Sequence, residues 1–207
     1  KNIIYSVWSD LTEEHMSVND YKKESFKKYK DKLIKLQKEY AVQCNADYEL
    51  FNPTSTDYAN VQCDKIFKLE ELTKYYDKVV YFDLDIIPIT KKNIFDSFDF
   101  NNICVYDYTI QINNRKTIED ISRYIKRKEY IPQMNRYSKV CAKNAMLLID
   151  NVVGNENIVN TGVVCGNKKA VESLKFSERM NDMNKTLQIA KEDNLYPEEM
   201  SKPWIKN

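Results

Sequence analysis

Strand-like and helix-like patterns take turns along this chain, and that alternation restricts the fold more than any other feature. Ile3 to Trp8 (I-I-Y-S-V-W) has the character of a first strand. From Asp20 to Tyr40, the residues Phe26, Tyr29, Leu33, Leu36 and Tyr40 recur at steps of three and four with lysines between them. That is the period of an amphipathic helix, and its lysines read most simply as a solvated face. Ala46 to Phe51 predicts a second strand, closed by Asn52-Pro53, and Val61 to Tyr76 returns to helical spacing through Ile66, Leu69, Leu72 and Tyr76. A strand running into Asp83, a short helix near Asn93 to Phe98 and a strand at Ile103 to Tyr106 follow. Farther on come a helix near Val140 to Leu148, a strand from Ile158 (I-V-N-T-G-V-V-C) and a helical tail from Lys168. The order predicts one α/β domain over residues 1–207, a mixed, mostly parallel central sheet flanked by helices. The chain starts without methionine and stops at Trp204-Ile205-Lys206-Asn207, as a domain excised from a longer protein would.

The 32 basic residues nearly cancel the 31 acidic ones, so a net charge of +1 gives no signal for nucleic acid or membrane as partners. No apolar run approaches the roughly 20 residues of a membrane span, and the first 20 residues lack a signal-peptide pattern. Cys44, Cys63, Cys104, Cys141 and Cys165 are scattered, odd in number and without a CxxC pair. They read as reduced thiols in a cytoplasmic-type compartment. The three glycines, Gly154, Gly162 and Gly166, spell neither GxGxxG nor GxxxxGK[ST], so any nucleotide must be held without those phosphate loops.

Residues 79–90 read V-V-Y-F-D-L-D-I-I-P-I-T. A buried unpaired carboxylate costs several kcal/mol, roughly, and in an extended chain Asp83 and Asp85 face the same side. The stretch therefore calls for a cation or for the end of the strand. In a largely parallel sheet, ligands bind outside the carboxyl ends of the strands. A carboxylate pair there suits Mg2+ or Mn2+, which takes oxygen ligands and bridges to phosphate oxygens. Two solvated acids ending a strand is the bland reading. The haloacid-dehalogenase-like phosphatases also carry D-x-D after a strand, but Ile86-Ile87 stand where they have Gly-Thr, and their later glycine-aspartate motif has no counterpart.

The segment Y-D-K-V-V-Y-F-D-L-D-I-I-P-I followed by N-I-F-D-S-F-D resembles the centre of GT-A-fold glycosyltransferases, especially the glycogenin-like retaining family. About 75 residues on, Asn160-Thr161-Gly162-Val163-Val164 is similar to that family's N-S-G-V segment. The resemblance spans residues 61–170 and is concentrated in those two motifs. It implies a Rossmann-like GT-A domain that transfers a hexose from a UDP-sugar, with Mn2+ or Mg2+, to a glycan or protein-linked glycan hydroxyl. By the same resemblance Asp85 would ligate the metal, Asp83 would contact metal and ribose, and Asn160 and Thr161 would bond sugar hydroxyls. Gly162 would let the backbone pass close to the donor, or else mark a strand irregularity. Lys65 stands where the family has a lysine that reaches the donor, with a solvated helix lysine as the equal alternative. Ser6 and Trp8 are candidates for ribose and base, against ordinary core packing.

The family's histidine metal ligand near the C-terminus is missing, since the single histidine is His15. Its acceptor-side D-Q motif is not legible either, which leaves Asp107 and Asp193 as weak catalytic candidates and the catalytic base unassigned. A nucleotide-sugar or glycan-binding module without turnover is the alternative function. Residues 111–140 hold eight Lys or Arg against three acids, with Tyr124, Tyr130 and Tyr137 among them. A donor flap, a nucleic-acid contact and a solvated insertion all fit that pattern.

Overall fold

The structure is a computed structural model and describes residues 1–9, 20–53, 58–107 and 159–179. The chain divides into two compact units, Lys1–Val105 with Thr161–Phe176, and Tyr106–Asn160 with Ser177–Asn207. Nearly all described residues belong to the first. Its elements are β1 (Asn2–Val7), α1 (Asp20–Gln43), β2 (Asp47–Phe51), α2 (Tyr58–Leu72), β3 (Lys78–Phe82) and α3 (Ile94–Ser97), with α4 (Lys168–Ser173) after the last strand. The strands β4 (Cys104–Asp107) and β5 (Val159–Gly166) complete the five-stranded sheet in the order β2-β1-β3-β5-β4. β1 lies parallel to both β2 and β3, while β5 runs antiparallel to β3, so the sheet is mixed.

Alternation along the strands sorts the core into two layers. Ile4, Val80, Phe82 and Cys165 face α1 and α3, packing with Tyr40, Ala41, Cys44, Phe95 and Phe100. Their neighbours Ile3, Tyr5, Val79, Tyr81 and Val164 face α2 and α4, against Leu69, Leu72 and Val171. Gly166 ends β5 where α4 turns back: a Cβ there would meet Ile103 Cδ1 at 3.0 Å and Val171 Cγ2 at 3.2 Å.

Two details depart from the periodicity. The buried line of α1 is Gln37, Tyr40 and Ala41, continued by Cys44 just past its end, whereas Tyr29 is exposed and Leu33 and Leu36 are half-buried. The sheet claims a narrower and slightly rotated face of the helix than its apolar residues outline. In addition, β3 stops at Phe82, and the Ile86 amide donates to the Asp83 carbonyl at 2.9 Å. Asp83 and Asp85 therefore lie on a turn, and the same-side argument for an extended strand does not apply to them. The segments predicted at 111–140 and 140–148, and the tail beyond residue 179, lie outside the described residues.

Candidate functional site at the end of the central strand

Because β1 and β3 are parallel and β5 is antiparallel to β3, the ends of β1 and β3 and the start of β5 share one rim. There the Asp83 amide donates to the Gly162 carbonyl at 2.7 Å. That bond joins the D-L-D turn to the N-T-G segment across a long sequence separation. Asp83 is half-buried, Leu84 is buried beneath the turn, and Asp85 is exposed. The Tyr81 hydroxyl donates to Asp83 Oδ1 at 2.5 Å. Burial pushes the Tyr81 phenol well above its usual range, with the Asp83 carboxylate adding to the effect.

Lys65 comes from α2 and is 3% exposed, which removes the solvated-lysine alternative. Its Nζ donates to Thr161 Oγ1 at 3.2 Å and lies 5.1 Å from the Tyr81 ring centroid. Loss of hydration lowers its pKa, and the Asp83 carboxylate pulls in the opposite direction. A cation held this way at a rim is a fixed anion-attracting charge.

Ser6 is fully buried and donates its hydroxyl to Gln37 Oε1 at 2.5 Å, so it points into the α1 layer. Trp8 follows β1, extends the ladder through a 2.9 Å bond from its backbone amide to Phe51 O, and has Lys30 Nζ 4.2 Å from its ring centroid. Its indole N–H is buried with no hydrogen-bond partner among the described residues. Asn160 is exposed in β5, and Asp107 is the last residue of β4. Asp193 and His15 lie outside the described residues.

Gln37 and Tyr81 hold this rim without standing out in the sequence. Gln37 does leave a trace, a polar residue four after Leu33 and three before Tyr40 on an otherwise apolar face. Among the described residues no group of three or more His, Cys, Asp or Glu gathers as a metal cage. Two carboxylates on one turn fit an ion of the Mg2+ type, which is bound by one or two carboxylates and completed by substrate phosphates and water.

No protein-family description and no curated protein matches the chain. Among solved structures it is similar to a glycosyltransferase involved in the glycosylation of the major capsid of PBCV-1. That likeness has 16% identity and a TM-score of 0.44, and covers 86% of this chain but 66% of the other.

Proposed function

We propose that this chain is a metal-dependent glycosyltransferase that moves a hexose from a nucleoside-diphosphate sugar, a UDP-sugar, to an acceptor hydroxyl. The observation that carries the reading is the Asp83–Gly162 backbone bond, with Lys65 bonded to Thr161 beside it. Together they bring carboxylates, a desolvated cation and the N-T-G strand to one rim. Asp83 and Asp85 would hold a Mn2+ or Mg2+ ion, which when bound supplies charge neutralisation for the departing diphosphate.

The chain's own groups do the rest. Lys65 offers a positive charge that water screens weakly, and Thr161 fixes the direction of its ammonium. Tyr81 occupies one oxygen of Asp83 and so restricts the directions from which that carboxylate can ligate. Asn160 and Thr161 hydrogen-bond hexose hydroxyls, and the buried Gly162 supplies the carbonyl that accepts from the Asp83 amide. Trp8 presents its ring for the base.

The test is metal-dependent binding and turnover of UDP-sugars. Slow release of UDP from a donor in Mn2+, absent in EDTA, supports the enzyme; binding without any release favours the nucleotide-sugar-binding module. Asp85→Asn, on an exposed turn residue, should keep the thermal transition of the wild type and lose roughly 2–5 kcal/mol of Mn2+·UDP affinity, the scale of a truncated charge contact. Unchanged UDP affinity by calorimetry in that variant, or in EDTA, rejects the proposal.

A further inference from the structure

Gln37 lies on α1 and is 0% exposed, an uncommon setting for a primary amide. Its Nε2 donates to the carbonyls of Asp83 at 3.1 Å, Leu84 at 3.3 Å and Ile86 at 2.9 Å. Its Oε1 accepts from Ser6 Oγ at 2.5 Å and from the Tyr48 hydroxyl at 3.0 Å. The amide has only one workable orientation. Three carbonyls can only accept, so the NH2 must face them, and the two hydroxyls must then donate to the oxygen. Two N–H bonds serve three carbonyls, which makes the long contact to Leu84 a shared one.

All three carbonyls belong to the turn that carries Asp83 and Asp85. Beyond the end of β3 that turn is tied down by the Asp83–Gly162 bond and by its own Ile86–Asp83 closure. The same helix continues the grip downstream, where the Tyr40 hydroxyl donates to Lys92 O at 2.9 Å. A buried side chain with every donor and acceptor engaged is rigid, because any rotation strands several polar groups at once.

We propose that Gln37 is the positioning residue of the Asp83–Asp85 site, fixing the turn so that both carboxylates keep their spacing at the rim. Ser6 and Tyr48 act through it by holding the amide in that orientation, which gives Ser6 a role from the core side. This rests on the reading of Asp83 and Asp85 as the metal–diphosphate ligands. It places the second support of the site on α1, in the opposite core layer from Lys65 and Tyr81.

The experiment uses the full chain with Gln37→Met, which keeps length and bulk, and Tyr48→Phe, which removes one donor to the amide. Two quantities are read: amide hydrogen exchange through residues 83–86 and in β3, without metal, and calorimetric affinity for Mn2+ with UDP. In Gln37→Met the turn amides should exchange at least tenfold faster while Val80 and Tyr81 stay protected, and Mn2+·UDP affinity should fall at least tenfold. Tyr48→Phe should move both in the same direction by less, and it decides the matter if Gln37→Met does not fold. Unchanged exchange at the turn overturns the proposal. Faster exchange with unchanged Mn2+·UDP affinity also overturns it, because Gln37 would then support the fold alone. If the wild type binds no Mn2+·UDP, the reading of the carboxylates fails, while faster exchange confined to the turn still upholds Gln37 as the residue that fixes it.

Discussion

Replacing Lys65 by methionine should leave the protein as stable as before or more so, while weakening its hold on a nucleoside diphosphate. The ammonium sits in a site that is 3% exposed, and the effective desolvation cost of such an ion is several kcal/mol, roughly. Three interactions offset it. The bond to Thr161 Oγ1 at 3.2 Å is of the charged kind, about 1.5–3 kcal/mol. The Tyr81 ring at 5.1 Å contributes about 0.5–2 kcal/mol. Asp83 is half-exposed, so its attraction is partly screened, and water can solvate it once the lysine is gone. Burial outweighs the pull of Asp83 and Cys63 in the direction of the Lys65 pKa, and an apolar chain of similar length removes that burial cost.

The expected gain is about 0–2 kcal/mol, or a rise in Tm of up to roughly 8 °C at about 2–4 °C per kcal/mol for a chain of this size. The pH dependence follows from the same shift. Below its lowered folded-state pKa, Lys65 is charged in both states and the penalty is fully felt. From there up to 10.5, its usual value, the folded protein binds fewer protons than the unfolded chain, so stability rises with pH. The difference between wild type and Lys65→Met, measured by urea unfolding at several pH values, should therefore shift toward the wild type across that window. Loss of Lys65 should also lower Mn2+·UDP affinity at least tenfold, about 1.4 kcal/mol. A loss of more than about 2 kcal/mol of stability, or a pH-independent difference, refutes the reasoning.

Tyr81→Phe keeps the ring packed 5.2 Å from Tyr5 but removes the donor to Asp83; it should cost about 1–2 kcal/mol in urea unfolding, and an unaltered midpoint would mean that water replaces the hydroxyl without loss. Gly166→Ala must push Ile103 Cδ1 and Val171 Cγ2 aside from 3.0 and 3.2 Å, costing about 1 kcal/mol, with Gly166→Val nearer 3 kcal/mol. Equal stability of both glycine variants and wild type, by thermal melting, would show that α4 repacks freely.

The local periods in the sequence were enough to predict the alternating elements and the mixed sheet. Steps of three and four found α1 and α2, and apolar runs found β1, β2, β3 and β5 within a residue or two. These patterns are legible because each is set by a residue's near neighbours on one helix face or one side of a strand. The candidate carboxylates were also legible, since two acids in the most apolar run of the chain conflict with simple burial. Their geometry was not. Whether D-L-D is strand or turn depends on where β3 loses its ladder, which the antiparallel partner β5 and the amide of Gln37 decide.

Lys65 illustrates the same division. Its place on a helix was readable, but solvated and buried were equal prospects until the packing of α2 on the sheet turned that face inward beside Thr161. Ser6 went the other way: its strand was readable, and its partner Gln37, 31 positions away, was not. Hydrogen-bond partners of a buried polar group are chosen by tertiary proximity, and burial makes that choice decisive because an unmatched group costs about 1–3 kcal/mol. Sequence alone set the elements and marked the acids. Only the packing of α1 and α2 on opposite faces of the sheet determined which polar groups hold those acids at the rim.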